Sequence, residues 1–120
     1  MRVAGFGFRI GASQESLAQA FVSAGGVADA FATVSEKADV PELVALASAR
    51  QREIFSIDPD ELNTATVITQ SEASFRRYGT GSVAEATALL AAGKGARLIA
   101  PRVVSSDGMA TCAIAEGKGE

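Results

Sequence analysis

The chain has 120 residues, 11 basic and 14 acidic side chains, a net charge of −3, one cysteine and no histidine. That length suits a single domain, 1–120, with a core of its own, and the intermixed charge argues against nucleic acid as the partner. Without histidine the usual general base at neutral pH and the commonest metal ligand are missing. With a single cysteine besides, neither a zinc site nor an internal disulfide is expected.

The hydrophobic share of 48% against 21% charged residues is ordinary for a globular domain, while aromatics at 6% leave small residues to do much of the packing. No run approaches the roughly 18 apolar residues of a membrane helix, and the N-terminus has no signal-peptide core, so a cytoplasmic protein with no membrane partner is expected. Cys112 lies in an apolar run and reads as a packed thiol rather than a nucleophile.

Residues 2 to 8 read as a buried strand, which breaks into a glycine-rich turn and enters a helix over 13 to 24 capped by Ser13, with Glu15 in its first turn. Such a turn suits an anion. Glycines let a ligand approach the backbone, the first amides of a helix carry partial positive charge, and Arg9 adds a full one. A tight strand-to-helix turn in which glycine only relieves crowding explains the same residues equally well. Leu17, Ala20, Phe21 and Ala24 give the helix one apolar face, and Gly25-Gly26 ends it.

Ala30 to Ser35 follows as a second buried strand. Asp39 and Glu42 predict the cap of a helix that tolerates Pro41 and turns Val40, Leu43, Val44 and Ala47 inward. Residues 53 to 57 form a third strand, and Asp58-Pro59-Asp60-Glu61 a brief helical turn. Thr64 to Thr69 is β-branched but has no evident partner, so it reads as loop or edge strand. Ser71 caps a short helix that ends at Tyr78-Gly79 and carries Arg76 and Arg77, read as a solvated face. After Gly79-Thr80-Gly81, Ser82 and Glu85 have the spacing of a capping box, and that spacing alone accounts for the pair. The helix they open runs to Gly93-Lys94-Gly95. Residues 97–104 and 108–115 close the chain as a hairpin about an Asp107-Gly108 turn, and the polar tail from Glu116 is expected to fray.

Strand and helix alternate, so the fold class is α/β: a three-layer α/β/α domain around a mainly parallel, mixed sheet with an antiparallel C-terminal hairpin. Ligands collect at the carboxyl ends of the strands in such sheets, which gathers the turn after the first strand, the 35–39 loop and the 79–82 turn. Gly5, Gly7 and Gly11 are spaced one residue too long for a dinucleotide fingerprint and there is no Walker lysine, so a nucleotide-binding domain is the weaker alternative.

Val3-Ala4-Gly5-Phe6-Gly7-Phe8-Arg9-Ile10-Gly11-Ala12-Ser13 with Glu15, Lys37-Ala38-Asp39 ahead of Pro41, Ser82-Val83-Ala84-Glu85-Ala86 through Leu89, and Thr111-Cys112-Ala113-Ile114-Ala115 together resemble the family formed by CobE and the C-terminal domain of CbiG, of cobalamin biosynthesis. Two places depart from the family's pattern: Arg102 stands where lysine is often found, and residues 63–70 are less alike. With Met1 directly before the first strand, the chain resembles the stand-alone CobE form of the aerobic route.

The resemblance implies a carboxylate-rich precorrin or corrin intermediate as partner, with other pathway enzymes as further partners and no cofactor or metal of the chain's own. Carboxylates of that ligand are then expected near Gly5, Gly7, Arg9, Gly11 and Ser13, with Lys37, Gly81 and Ser82 as further donors and Phe6 or Phe8 against the ring. An auxiliary or carrier protein is the first expectation. An enzyme acting on the intermediate, a hydrolase or isomerase as CbiG-type lactone opening implies, is the second, with Glu15, Lys37, Asp39 or Glu85 as acid or base.

Overall fold

In β1 (Arg2–Phe8) every second side chain enters the same layer, and in a computed structural model describing residues 1–119 this sorts the core. Ala4, Phe6 and Phe8 face α1 (Gln14–Ser23) and α2 (Pro41–Ala49), where they pack with Leu17, Phe21, Phe31 and Leu43. The rings of Phe6, Phe21 and Phe31 form the centre of that layer, with Phe31 5.0 Å from Phe6 and 5.1 Å from Phe21. On the other face Val3 meets Ala88 and Ala92 of α4 (Val83–Ala92). Gly5 lies so close beneath this helix that a Cβ there would stand 2.1 Å from Ala84 O. Glycine here brings helix and strand together rather than opening a path for a ligand.

β2 (Ala30–Val34) and β3 (Ile54–Ile57) continue the sheet in parallel from β1, while β5 (Ala110–Glu116) pairs antiparallel with β1 and β4 (Arg97–Val104) antiparallel with β5. The order is β3-β2-β1-β5-β4. Four strands therefore point one way and β5 alone runs against them, in a mixed sheet between two helical layers. The short α3 (Glu72–Tyr78) precedes α4 and buries none of its residues. The chain passes from the α1–α2 layer to the α4 layer after β3, so the crevice of such a sheet falls beside β1, at the carboxyl ends of β1 and β2.

Four local expectations are corrected. Pro41 occupies the first helical position of α2 and forces extended backbone on the residue before it, so Val40 is the cap and Asp39 stands outside the helix. Leu46 rather than Val44 takes the inward place in α2. Glu85 N–H is received by Ser82 Oγ at 3.1 Å, but the Glu85 carboxylate does not complete a capping box, because it bonds the chain at Ile68, Thr69 and Arg102 instead. The tail is tied through Gly119: Met1 N donates to Gly117 O at 2.6 Å, and Gly119 N to Ala92 O at 2.7 Å. Glu120 lies outside the described residues.

Candidate ligand cleft

A cleft of about 620 Å³ opens at that crevice. Its floor is the end of β1 at Gly7 and Phe8, with Val34 of β2 and Val83 at the start of α4. One wall is α3, through Ser74, Arg77 and Tyr78; the other is the hairpin, through Arg102, Val104, Met109 and Thr111. Thr111 Oγ1 donates to Gly7 O at 2.8 Å and fastens the hairpin wall to the floor.

Arg9, Lys37, Arg77 and Arg102 line the cleft, and no aspartate or glutamate does. In a chain of net charge −3 this is a local reversal of sign. Ile10, Val104 and the half-buried Met109 add apolar surface beside the charges. The arrangement suits a ligand with an apolar body and several anionic arms.

Lys37 is the most constrained of the cations. The three residues Ser35–Lys37 form a single 3₁₀ turn after β2, which carries the side chain back over β1. There Nζ donates to Phe8 O and lies 5.2 Å from the centre of the Phe8 ring. Burial, and then the nearby Arg77 charge, push the Lys37 ammonium below the usual lysine range. An anion in the cleft counters both by favouring the charged ammonium.

Arg77 lies 3.4 Å from Glu36, whose carboxylate also accepts a hydrogen bond from Tyr78 Oη. These contacts hold α3 against the turn that bears Lys37. The Tyr78 bond is the main cause that lowers the Glu36 carboxyl, and burial followed by the same bond raises the Tyr78 phenol.

Of the residues expected from sequence to bind ligand, Gly7, Arg9 and Lys37 reach the cleft; Gly5, Gly11, Ser13, Gly81 and Ser82 do not line it. Gly11 takes the left-handed backbone of the turn, at φ 97°. Ser13 Oγ accepts Ser16 N–H at 3.0 Å as the cap of α1. The first turn of α1 already faces an anion of the chain itself, since Ser16 Oγ donates to the Asp107 carboxylate from the β4–β5 turn. Hydrogen bonds from Ser105 and Ser16 hold Asp107 down at about 2. Gly81 is required where the chain crosses itself, because a Cβ there would lie 2.3 Å from Thr69 O, and Ser82 is buried with its hydroxyl engaged as a cap. Phe8 rather than Phe6 meets the cleft; Phe6 is wholly buried.

Of the four acid–base candidates, Lys37 alone lines the cleft. Glu15 and Asp39 are exposed and line no part of the cleft, and Glu85 is buried behind it. Cys112 is buried, which raises its thiol far above the ordinary range and leaves it inert. Arg77, Tyr78 and Arg102 were missed as site residues. Arg102 carried the one available signal, a charged residue in the middle of a strand whose other members after Arg97 are apolar.

A small α/β domain with a cationic cleft at its sheet switch point is thus defined, and its relatives give it a family. Residues 2–115 match the model of the cobalamin synthesis G C-terminus, and the chain belongs to that family of cobalamin biosynthesis. The structure of CobE, a protein from the cobalamin (vitamin B12) biosynthetic pathway, is 30% identical, with a TM-score of 0.81 over 100% of this chain and 92% of that one. Cobalamin biosynthesis protein ChiG from Agrobacterium tumefaciens is 32% identical, with a TM-score of 0.70 over 98% of this chain and 99% of its own. A cobalamin biosynthesis protein G homologue from Sulfolobus solfataricus shares the fold at 17% identity and a TM-score of 0.73, over 98% of this chain and 37% of the longer one. Comparison with curated proteins gives no match.

Proposed function

We propose that the chain serves cobalamin biosynthesis in the cytoplasm by holding a carboxylate-rich precorrin or corrin intermediate in this cleft, as an auxiliary or carrier protein that hands it between pathway enzymes. The observation that supports this is the charge of the lining: four cations from four separate segments and no carboxylate, in an acidic chain. Corrin precursors are flat macrocycles edged with acetate and propionate arms. Spread cations with apolar surface beside them match that outline, whereas a phosphate would call for a compact cluster of amides. The glycines that suggested a nucleotide loop serve strand packing and a turn.

Binding is favoured over chemistry because no carboxylate faces the cleft and the titratable groups that do, Lys37 and Tyr78, are already engaged with Phe8 O and the Glu36 carboxylate. Incubation of the purified protein with a cobalt-free precorrin tests this. Tight, saturable binding and release of pigment with an unchanged absorption spectrum is the expected result; a changed spectrum would establish catalysis instead.

A further inference from the structure

Glu85 lines no part of the cleft, yet its carboxylate contacts the backbone leading to both walls. Oε1 accepts Ile68 N–H at 2.8 Å and Thr69 N–H at 3.0 Å, in the segment just before α3. Oε2 accepts Thr69 Oγ1–H at 2.6 Å and the backbone N–H of Arg102 at 2.9 Å. That last bond exists because β4 is bulged. Ala100 pairs with Ile114 and Val103 with Cys112, so Pro101 and Arg102 stand opposite Ala113 alone. Pro101 has no N–H to give, and the N–H of Arg102, released from the ladder, turns to Glu85.

From this geometry we infer that Glu85 is a positioning residue: one buried carboxylate sets Arg102 on its wall and the approach to Arg77 on the other, and so fixes which spacing of ligand carboxylates the cleft accepts. The inference rests on the polycarboxylate reading of the cleft. A glutamate whose only role was to cap α4 would not need to reach β4. One that only stiffened the 64–70 loop would not need the Arg102 amide.

The test compares uroporphyrin, which carries paired acetate and propionate arms, with coproporphyrin, in which methyls replace the acetates, by fluorescence titration of wild type, Arg102→Met, Glu85→Gln and Thr69→Val. In Glu85→Gln an amide faces backbone donors that a carboxylate had satisfied, so circular dichroism first establishes a temperature at which the variant is folded. Wild type is expected to prefer uroporphyrin. Arg102→Met and Glu85→Gln are both expected to reduce that preference about tenfold, the scale of one charge-assisted contact. Thr69→Val, which removes only a hydroxyl on the α3 side, is expected to lower the melting temperature and retain the preference. A Glu85→Gln protein that loses stability but keeps wild-type discrimination overturns the inference.

The Arg102 backbone and Nε resonances give a reading without ligand. Displacement of both in Glu85→Gln, at unchanged fold, supports the positioning role; an unmoved Nε overturns it. If wild type binds neither pigment, the polycarboxylate reading falls, and these resonances still decide the role of Glu85.

Discussion

At Gly5 a missing side chain determines how two layers meet. A methyl at that position meets backbone, Ala84 O and Ala88 N, which cannot move without shifting α4 off the sheet. Gly5→Ala is expected to cost about 3 kcal/mol, read as a lowered denaturation midpoint. At Gly7 the nearest obstacle is the Thr111 hydroxyl, a side chain that can turn away only by giving up its bond to Gly7 O, so Gly7→Ala is expected to cost about 2 kcal/mol. Lys37 acts through charge. Because burial and Arg77 lower its ammonium, its neutral form appears below the usual lysine range. Affinity for a polycarboxylate is therefore expected to fall as pH rises through that lowered value. A titration series from neutrality to about pH 10 checks this, and Lys37→Met should bind more weakly at neutrality and lose the alkaline dependence.

Among the elements, the β4–β5 hairpin does most to shape the cleft, and its turn also fastens it to α1. Asp107 is held at about 2, below an ordinary aspartate, by bonds that only the folded chain supplies. A depressed carboxylate stabilises the fold above its unfolded pKa and ceases to do so as pH falls through the folded value. This contribution is thus expected to disappear between about pH 4 and about pH 2. Denaturant midpoints of wild type and Asp107→Asn over that range should converge at the acid end.

The same elements show how far local pattern reaches. The buried strand β1, the glycine stop of α1, the serine caps and the Asp107-Gly108 turn were all legible, because each is written in a few neighbouring residues. The roles of Glu85 and Asp107 were not. Glu85 has the spacing of a capping box, and only the fold brings Arg102 and Thr69 to its carboxylate. Asp107 looks like a turn residue until the sheet carries the turn to the first residues of α1. For the same reason half of the charged lining escaped notice, since Arg77 sits on a helix that looks solvated along its whole length and becomes a wall only when Tyr78 and Arg77 meet Glu36.

Across the whole molecule, an acidic chain gathers cations from the first strand turn, the 35–37 turn, α3 and β4 onto one open cleft beside β1. No helix among the described residues is long and apolar enough to cross a membrane, and no group of metal-ligating side chains occurs among them. The central claim is that those spread charges hold the arms of a corrin precursor. Calorimetric titration with a cobalt-free precorrin, repeated at rising salt, tests it most directly. The account predicts saturation at one pigment per chain, affinity that declines as salt screens the contacts, and a loss of about a hundredfold when Arg77 and Arg102 are both replaced by methionine. Equal affinity in that double variant, or no saturable binding by the wild type, would contradict it.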